Sequence, residues 1–446
     1  MSTIVALSTP RGRGALGVVR LSGPEALRIA NQLTGSIAEF EPKRVTLAKL
    51  LERDGAVIDE MLVTYFKAPH SLTGEDVIEF SCHGSPAVLR KLIDLTLSLG
   101  AQLAGPGEFT LRALANGKVN LAQAEAIRDL ISAQTEAAAK QAALQLNGEL
   151  SRALEPLKQQ LVDVIVVLES ALEFVEDDLP APQLERLDQE LGLVQAKTEE
   201  LAASYRMGHL LQDGLKVAIA GSPNVGKSSL FNKLVERDRA IVTELPGTTR
   251  DTLSETIDVD GIPIVLTDTA GVRPTADGIE QLGIERTQSA ITEADMVLVV
   301  LDGSCALRDE DRDILQRTAS TRRMIVLNKA DLPSFGTGNG QLPAGLKVSA
   351  MTGEGLDSVR AAILTSFDTA TPESGSLLVT NARHHDLLLR VGAELVEGRA
   401  ELKSGRSEEV VLVPLHNALR LLGEITGETT TEDILSEIFA TFCIGK

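Results

Sequence analysis

The stretch Gly221-Ser222-Pro223-Asn224-Val225-Gly226-Lys227-Ser228 constrains this chain more than any other. It follows an apolar run, Leu215 to Ala220, and opens a helical pattern, Ser229 to Leu234. A strand that passes through a glycine-rich turn into a helix aims free backbone N–H groups and the positive end of the helix dipole at one point. Such a point cradles a polyphosphate. The glycines permit the turn, Lys227 reaches the terminal phosphates, and the Ser228 hydroxyl ligates Mg2+.

Four further elements follow in the order a guanine-nucleotide site requires. Gly247-Thr248-Thr249-Arg250-Asp251 precedes a strand, where a threonine completes the Mg2+ shell and senses the terminal phosphate. Asp268-Thr269-Ala270-Gly271 ends a strand, its aspartate holding Mg2+ through water and its glycine N–H contacting the γ-phosphate. Asn328-Lys329-Ala330-Asp331 ends another. The Asp331 carboxylate accepts hydrogen bonds from guanine N1–H and the exocyclic amine, donors that adenine lacks there. Ser349-Ala350 supplies a backbone contact to the guanine oxygen. Taken singly, Asn-Lys-x-Asp or Asp-x-x-Gly is weak, but five elements in register leave coincidence negligible. The nucleotide is therefore expected against Asn224, Val225, Gly226, Lys227, Ser228 and Ser229; Thr243, Glu244, Leu245, Pro246, Gly247, Thr248 and Thr249; Asp268, Thr269, Ala270 and Gly271; Asn328, Lys329, Ala330 and Asp331; and Ser349, Ala350 and Met351. Many switch GTPases place a water-orienting glutamine directly after Asp-x-x-Gly, but Val272 stands here and cannot orient water. Another group has to serve.

The 446 residues predict about three domains, and 43% apolar content supplies their cores. No run reaches the roughly 20 apolar residues of a membrane span, and the first residues lack a basic region followed by an apolar core, so a cytoplasmic protein is expected. Cys82, Cys305 and Cys443 are far apart and form no Cys-x-x-Cys pair, which argues against a disulfide framework or zinc site. A net charge of -20 excludes broad nucleic-acid coating and leaves any RNA contact local.

Residues 1–118 mix strand and helix signals, with strands expected at Thr3 to Thr9, Gly17 to Leu21, Met61 to Phe66 and Val77 to Cys82. Gly12, Gly14 and Gly17 satisfy G-x-G-x-x-G, but Val18 to Leu21 continues as strand where a dinucleotide site needs a helix. A hairpin turn is expected instead. Residues 119–212 become rich in Leu, Ala, Gln and Glu, with Leu154, Leu157, Leu161, Val164, Leu168 and Leu172 at the spacing of one helix face and a second helix from Gln183 to Met207. Residues 213–372 alternate strands and helices around a hairpin at Asp260-Gly261, the pattern of a doubly wound α/β domain. Residues 373–446 return to leucine-rich helices, so the nucleotide domain is expected as an insertion into a long-helix bundle. Cys82 beside His83 is not a dyad, because adjacent strand residues face opposite ways. His384-His385 has no third ligand and is expected at the surface.

The loop with Asn224, the Gly-Thr-Thr-Arg-Asp segment and Val272 resemble the TrmE-Era-EngA-like family of P-loop GTPases. Within it, Phe442-Cys443-Ile444-Gly445-Lys446, Thr73-Gly74-Glu75-Asp76, Pro106-Gly107-Glu108-Phe109 and Leu121-Ala122-Gln123-Ala124-Glu125-Ala126 resemble the tRNA-modification GTPases of the MnmE (TrmE) family along essentially the full chain. The resemblance implies K+ in the place of an arginine finger, held by Asn224 with oxygens of Thr243, Leu245 and Thr248, while Ser228 and Thr249 hold Mg2+. It implies two catalytic residues, Lys227 and Glu280, the latter orienting the attacking water; the residues alone would make Glu280 a solvated carboxylate. It implies an N-terminal α+β domain that dimerises and binds 5-formyl- or methylene-tetrahydrofolate through Arg20, Glu79, Lys118 and Lys446, with Cys443 as a possible functional thiol. The implied activity is GTP hydrolysis beside the FAD-dependent partner MnmG (GidA), in a heterotetramer or larger complex that adds a carboxymethylaminomethyl-type group to C5 of the wobble uridine of certain tRNAs. The alternative is a GTP-gated ribosome-assembly or RNA-binding switch without modification chemistry. Era-like and Der-like chains carry a C-terminal RNA-binding domain or a second P-loop, and neither pattern is read here.

Overall fold

A computed structural model describes residues 2–35, 40–173, 180–238, 253–268, 290–336, 342–367, 376–429, 435 and 438–445. They form strands and helices in two compact units. The first unit gathers Met1–Arg128, Gln145–Leu184 and Glu397–Lys446, and the second gathers Asp129–Leu144 and Glu185–Val396.

The first unit is built on a six-stranded sheet of β1 (Ile4–Leu7), β2 (Leu16–Ser22), β3 (Val45–Leu51), β4 (Val57–Phe66), β5 (Val77–His83) and β6 (Gln102–Leu103), ordered β3-β4-β5-β2-β1-β6. β1 and β2 pair antiparallel, Ile4 opposite Ser22, so the glycines between them make a hairpin and not a dinucleotide turn. Alternation sorts the strands into two faces. Val19, Leu21, Met61, Val63, Ile78, Phe80 and Cys82 go to one, where they form a core with α1 (Ala26–Thr34) and α2 (Pro86–Ser98). Leu47 and Leu62 stay exposed on the strands. β3 and the two-residue β6 escape a sequence reading, because β3 is apolar at exposed positions and β6 is too short to show a period. α3 (Glu108–Ala115) and α4 (Leu121–Ser132) follow in sequence, α5 (Glu136–Leu146) falls almost wholly in the second unit, and α6 (Glu149–Glu173) returns to the first and continues through Pro156. Leu154, Leu157, Leu161, Val164 and Leu168 are buried along it, the face that the leucine spacing predicts.

The second unit holds α7 (Ala181–Ala203) over most of its length and then α8 (Tyr205–Asp213). The single helix expected from Gln183 to Met207 is interrupted at Ser204. There the side-chain hydroxyl donates to Leu201 O and accepts the Val379 N–H at 3.0 Å. The sheet of this unit comprises β7 (Leu215–Ala220), β8 (Leu253–Val259), β9 (Ile262–Asp268), β10 (Met296–Asp302), β11 (Arg323–Asn328) and β12 (Leu346–Lys347), ordered β12-β11-β10-β7-β9-β8. All neighbours are parallel except the β8–β9 hairpin, whose Asp260 and Gly261 have φ of 51° and 87°. Every residue of β10 is buried, as a strand covered on both faces requires. The helices here are α9 (Lys227–Asp238), α10 (Asp309–Arg317), α11 (Leu356–Thr365) and α12 (Ala382–Lys403), while α13 (Glu408–Thr426) packs on α6 in the first unit.

His384 overturns its surface expectation. It is fully buried on α12, in phase with buried Leu387, Leu388, Val391 and Leu395. Its neighbour His385 stacks on Tyr205, ring centroids 4.2 Å apart.

Candidate functional site

The chain enters the second sheet at β7, gains β9 on one side and β10 on the other, and so places its reversal of strand order beside the end of β7. Ligands of open α/β sheets bind at that switch point, beyond the carboxyl ends of the strands. Gly221 to Gly226 lie there. Gly221 packs on the neighbouring strand so closely that a Cβ would lie 2.4 Å from Val300 O. Gly226 has φ +95°, and a Cβ on it would lie 2.3 Å from Asn328 Nδ2. That amide donates to Val225 O at 2.8 Å, and Asn328 Oδ1 accepts the Ala350 N–H at 2.9 Å. Asn328 therefore ties three of the five motifs together, a bracing role its motif does not reveal.

Lys227 opens α9 and bends back over the loop, its ammonium donating to Gly221 O at 2.8 Å and Ser222 O at 2.9 Å. Burial pushes its pKa below the ordinary lysine value, against the opposing charges of Asp268 and Asp311. Among the described residues the amine has no committed carboxylate, and it can turn from carbonyls to phosphate oxygens. Ser228 Oγ donates to Asp268 Oδ2 at 2.8 Å, so the hydroxyl and carboxylate assigned to Mg2+ already share one point. Two hard oxygen donors suit that ion. Asn224 is exposed with φ 66°.

At the base end, Asp331 Oδ1 accepts the hydroxyl of fully buried Ser349 at 2.6 Å. This orients the carboxylate, a role for Ser349 beyond the backbone contact read from the sequence. Lys329 pairs with Asp302 at 2.6 Å. Asp302 sits below the ordinary carboxylate range: burial opposes ionisation, but hydrogen bonds from Lys329 and Ser304 and the lysine charge outweigh it. Asp302 and Asp311 escaped the sequence reading, since a lone aspartate after an apolar run or in a helix's first turn carries no distinguishing signal. Met351, beside Ala350, is 83% exposed.

In the first unit Arg20 and Glu79 stand directly opposite on β2 and β5 and form an ion pair at 2.8 Å, mostly buried. The C-terminal tail docks beside them: Arg20 Nη1 donates to Gly445 O at 3.4 Å, Ser8 Oγ donates to the same carbonyl at 3.1 Å, and Gly107 N donates to Cys443 O. Phe442 is buried and leaves Cys443 exposed. Lys118 is held separately, donating to Pro69 O. The acidic motifs of this region brace the fold. Glu75 accepts Ser22 Oγ and Arg112, Glu108 accepts Arg112, and Asp76 accepts the Tyr65 hydroxyl. Cys82 is buried, its thiol pushed up to about 12 by burial and the Asp59 charge, while His83 is exposed and bonds Asp59. The two side chains form no dyad. Thr243, Glu244, Leu245, Pro246, Gly247, Thr248, Thr249, Thr269, Ala270, Gly271, Glu280 and Lys446 lie outside the described residues. Among the described residues no helix is long and apolar enough to cross a membrane, and no group of three His, Cys, Asp or Glu side chains is placed to hold a metal.

Comparison with known proteins covers almost the whole chain. Residues 3–118 match the family model "GTP-binding protein TrmE N-terminus", and residues 121–443 match "MnmE helical domain". The tRNA modification GTPase MnmE of Koribacter versatilis is 45% identical over 451 residues, covering 100% of this chain and 99% of that protein. The protein of that name from Aquifex aeolicus is 41% identical over 447 residues, covering 99% of each. Among solved structures, the G domain of the T. maritima FeoB iron transporter matches at 23% identity over 34% of this chain and 98% of that one, with a TM-score of 0.25, and carries no part of the assignment. With full-length relatives above 40% identity and a nucleotide cradle at the switch point of its parallel sheet, the chain belongs to the MnmE family of tRNA modification GTPases.

Proposed function

We propose that this protein hydrolyses GTP in a K+-dependent way, as a cytoplasmic homodimer working with the FAD-dependent MnmG on tRNA. The joint reaction is the tetrahydrofolate-dependent addition of a carboxymethylaminomethyl-type group to C5 of the wobble uridine. Residues 213–372 form the GTPase domain, residues 1–118 the folate-binding and dimerising domain, and residues 119–212 with 373–446 the helical domain. The observation that carries the reading is the convergence of Lys227, the Ser228–Asp268 pair and the Asn328–Ala350 brace at one edge of one sheet.

When bound, Mg2+ and K+ supply positive charge where negative charge develops on the phosphate oxygens. Ser228 and Thr249 would hold the first, with Asp268 through water; Asn224, with oxygens of Thr243, Leu245 and Thr248, would hold the second. Lys227 exchanges two loop carbonyls for phosphate oxygens, and Asp331, oriented by Ser349, accepts the guanine N–H groups. Glu280 orients the attacking water in the place where Val272 cannot. The Glu79 carboxylate, held by Arg20 at 2.8 Å, suits the ring N–H groups of a pterin, and the cations Lys118 and Lys446 suit a glutamyl tail. Hydrolysis moves the domains; the folate supplies the one-carbon unit.

Two measurements test this. GTP turnover by the full chain is expected to rise at least about tenfold when Na+ is replaced by K+, since positive charge at this place is worth several kcal/mol; equal turnover removes the ion. Mass analysis of tRNA nucleosides from cells lacking the protein is expected to show unmodified wobble uridine, and unchanged nucleosides overturn the modification reading.

A further inference from the structure

We propose that Asp311 is a positioning residue of the GTP site, anchoring the phosphate-binding loop from behind through the Ser222 hydroxyl; this rests on the GTP reading of that loop. α10 begins Asp309-Glu310-Asp311, acids that favour the positive end of a helix from solvent. Asp309 and Glu310 are exposed accordingly, but Asp311 is only 3% exposed. Its Oδ2 accepts the Arg308 N–H at 2.9 Å and caps the helix, a bond that requires no burial. The burial belongs to the other oxygen. Oδ1 accepts the hydroxyl of Ser222, itself 1% exposed, at 2.6 Å across 89 residues of sequence.

A buried carboxylate is tolerated only where its oxygens are hydrogen-bonded. Here both are, and one bond ends on the second residue of the loop. The Ser222 carbonyl in turn accepts the Lys227 ammonium, so Asp311, Ser222 and Lys227 form a continuous chain. The far end of the loop is held at Val225 O by Asn328. Between these anchors Pro223 and Asn224 are exposed. A loop pinned at both ends keeps its amides aimed at the phosphates before nucleotide arrives, and the ordering cost of binding falls. Asp311 touches no substrate; it acts through Ser222.

The test follows release of the fluorescent analogue mant-GDP from the full chain by stopped flow, which reads only folded, loaded protein. Ser222→Ala is expected to raise the dissociation constant about tenfold, the weight of a hydrogen bond to a charged group, chiefly through faster release; Asp311→Asn, whose amide N–H can donate to the Ser222 hydroxyl in place of accepting from it, is expected to raise it about threefold. Asp311→Asn keeps an acceptor for the Arg308 N–H, so α10 retains its cap. The double variant is expected to bind no worse than the weaker single one, because both changes act on one bond. Ser222→Thr, which keeps the hydroxyl, stays within about threefold of wild type. A Ser222→Ala chain that binds as wild type, or effects that add in the double variant, overturn the anchor. A wild-type chain that does not bind mant-GDP overturns instead the GTP reading beneath it.

Discussion

The two six-stranded sheets carry their candidate chemistry in opposite ways. In the nucleotide sheet the central strand β10 is buried on both faces throughout, and none of its side chains has solvent to work in. The sheet's candidate site residues Lys227, Asp268, Asn328 and Asp331 lie at or just beyond the strand ends. In the N-terminal sheet, helices α1 and α2 cover one face, and the other carries Arg20 and Glu79 in mid-strand, opposed by antiparallel register. Parallel pairing forces chemistry to an edge, while antiparallel pairing frees a face for it.

Variants at the edge are expected to have the largest effect and to disable both activities. Asp331→Asn removes an acceptor for two guanine donors and installs an amide donor. GTP affinity is expected to fall about 10³-fold and xanthosine triphosphate affinity to rise, because an amide donor set against two guanine donors is far costlier than a lost contact. Competition binding with the two nucleotides reads this directly. GTP affinity retained within about threefold would detach Asp331 from the base and break the edge half of the comparison.

The edge was legible in the sequence because each motif is contiguous: the loop, Asp-x-x-Gly and Asn-Lys-x-Asp each state their chemistry within a few residues. The face was not legible in that way. Arg20 and Glu79 are 59 residues apart, and only strand register makes them partners. The same limit hid the bracing of the edge. Asp302, Asp311 and the Ser349 hydroxyl act across the fold, and single polar residues carry no period or spacing. His384 failed for a different reason. Its residue type suggested a surface, although its helical phase with Leu387, Leu388 and Val391 placed it inside.

A variant on the face is expected to have a smaller and separable effect. Glu79→Gln leaves Arg20 without its countercharge and is expected to weaken tetrahydrofolate binding about tenfold and lower wobble modification to match, with GTP turnover within about twofold of wild type. Gln keeps an oxygen that accepts the Arg20 N–H, so this mostly buried pair retains a hydrogen bond. Folate titration beside GTP turnover separates the sites. A fall in turnover matching the fall in folate affinity would join edge and face into one functional unit.

The smallest expected effect sharpens the edge itself. Asp302 is held below the ordinary carboxylate range by Lys329 and Ser304, despite burial. A depressed folded-state value means the unfolded chain takes up a proton first as pH falls. The pairing therefore stabilises fully above the ordinary carboxylate range and is lost as pH drops through the depressed value. Asp302→Asn removes that linkage, so the stability gap between wild type and variant is expected to narrow as pH falls from about 5 towards 3. Urea unfolding midpoints across that window measure it. A gap that stays constant would mean Asp302 acts by packing alone, and that its charge serves to aim Lys329 without holding the fold.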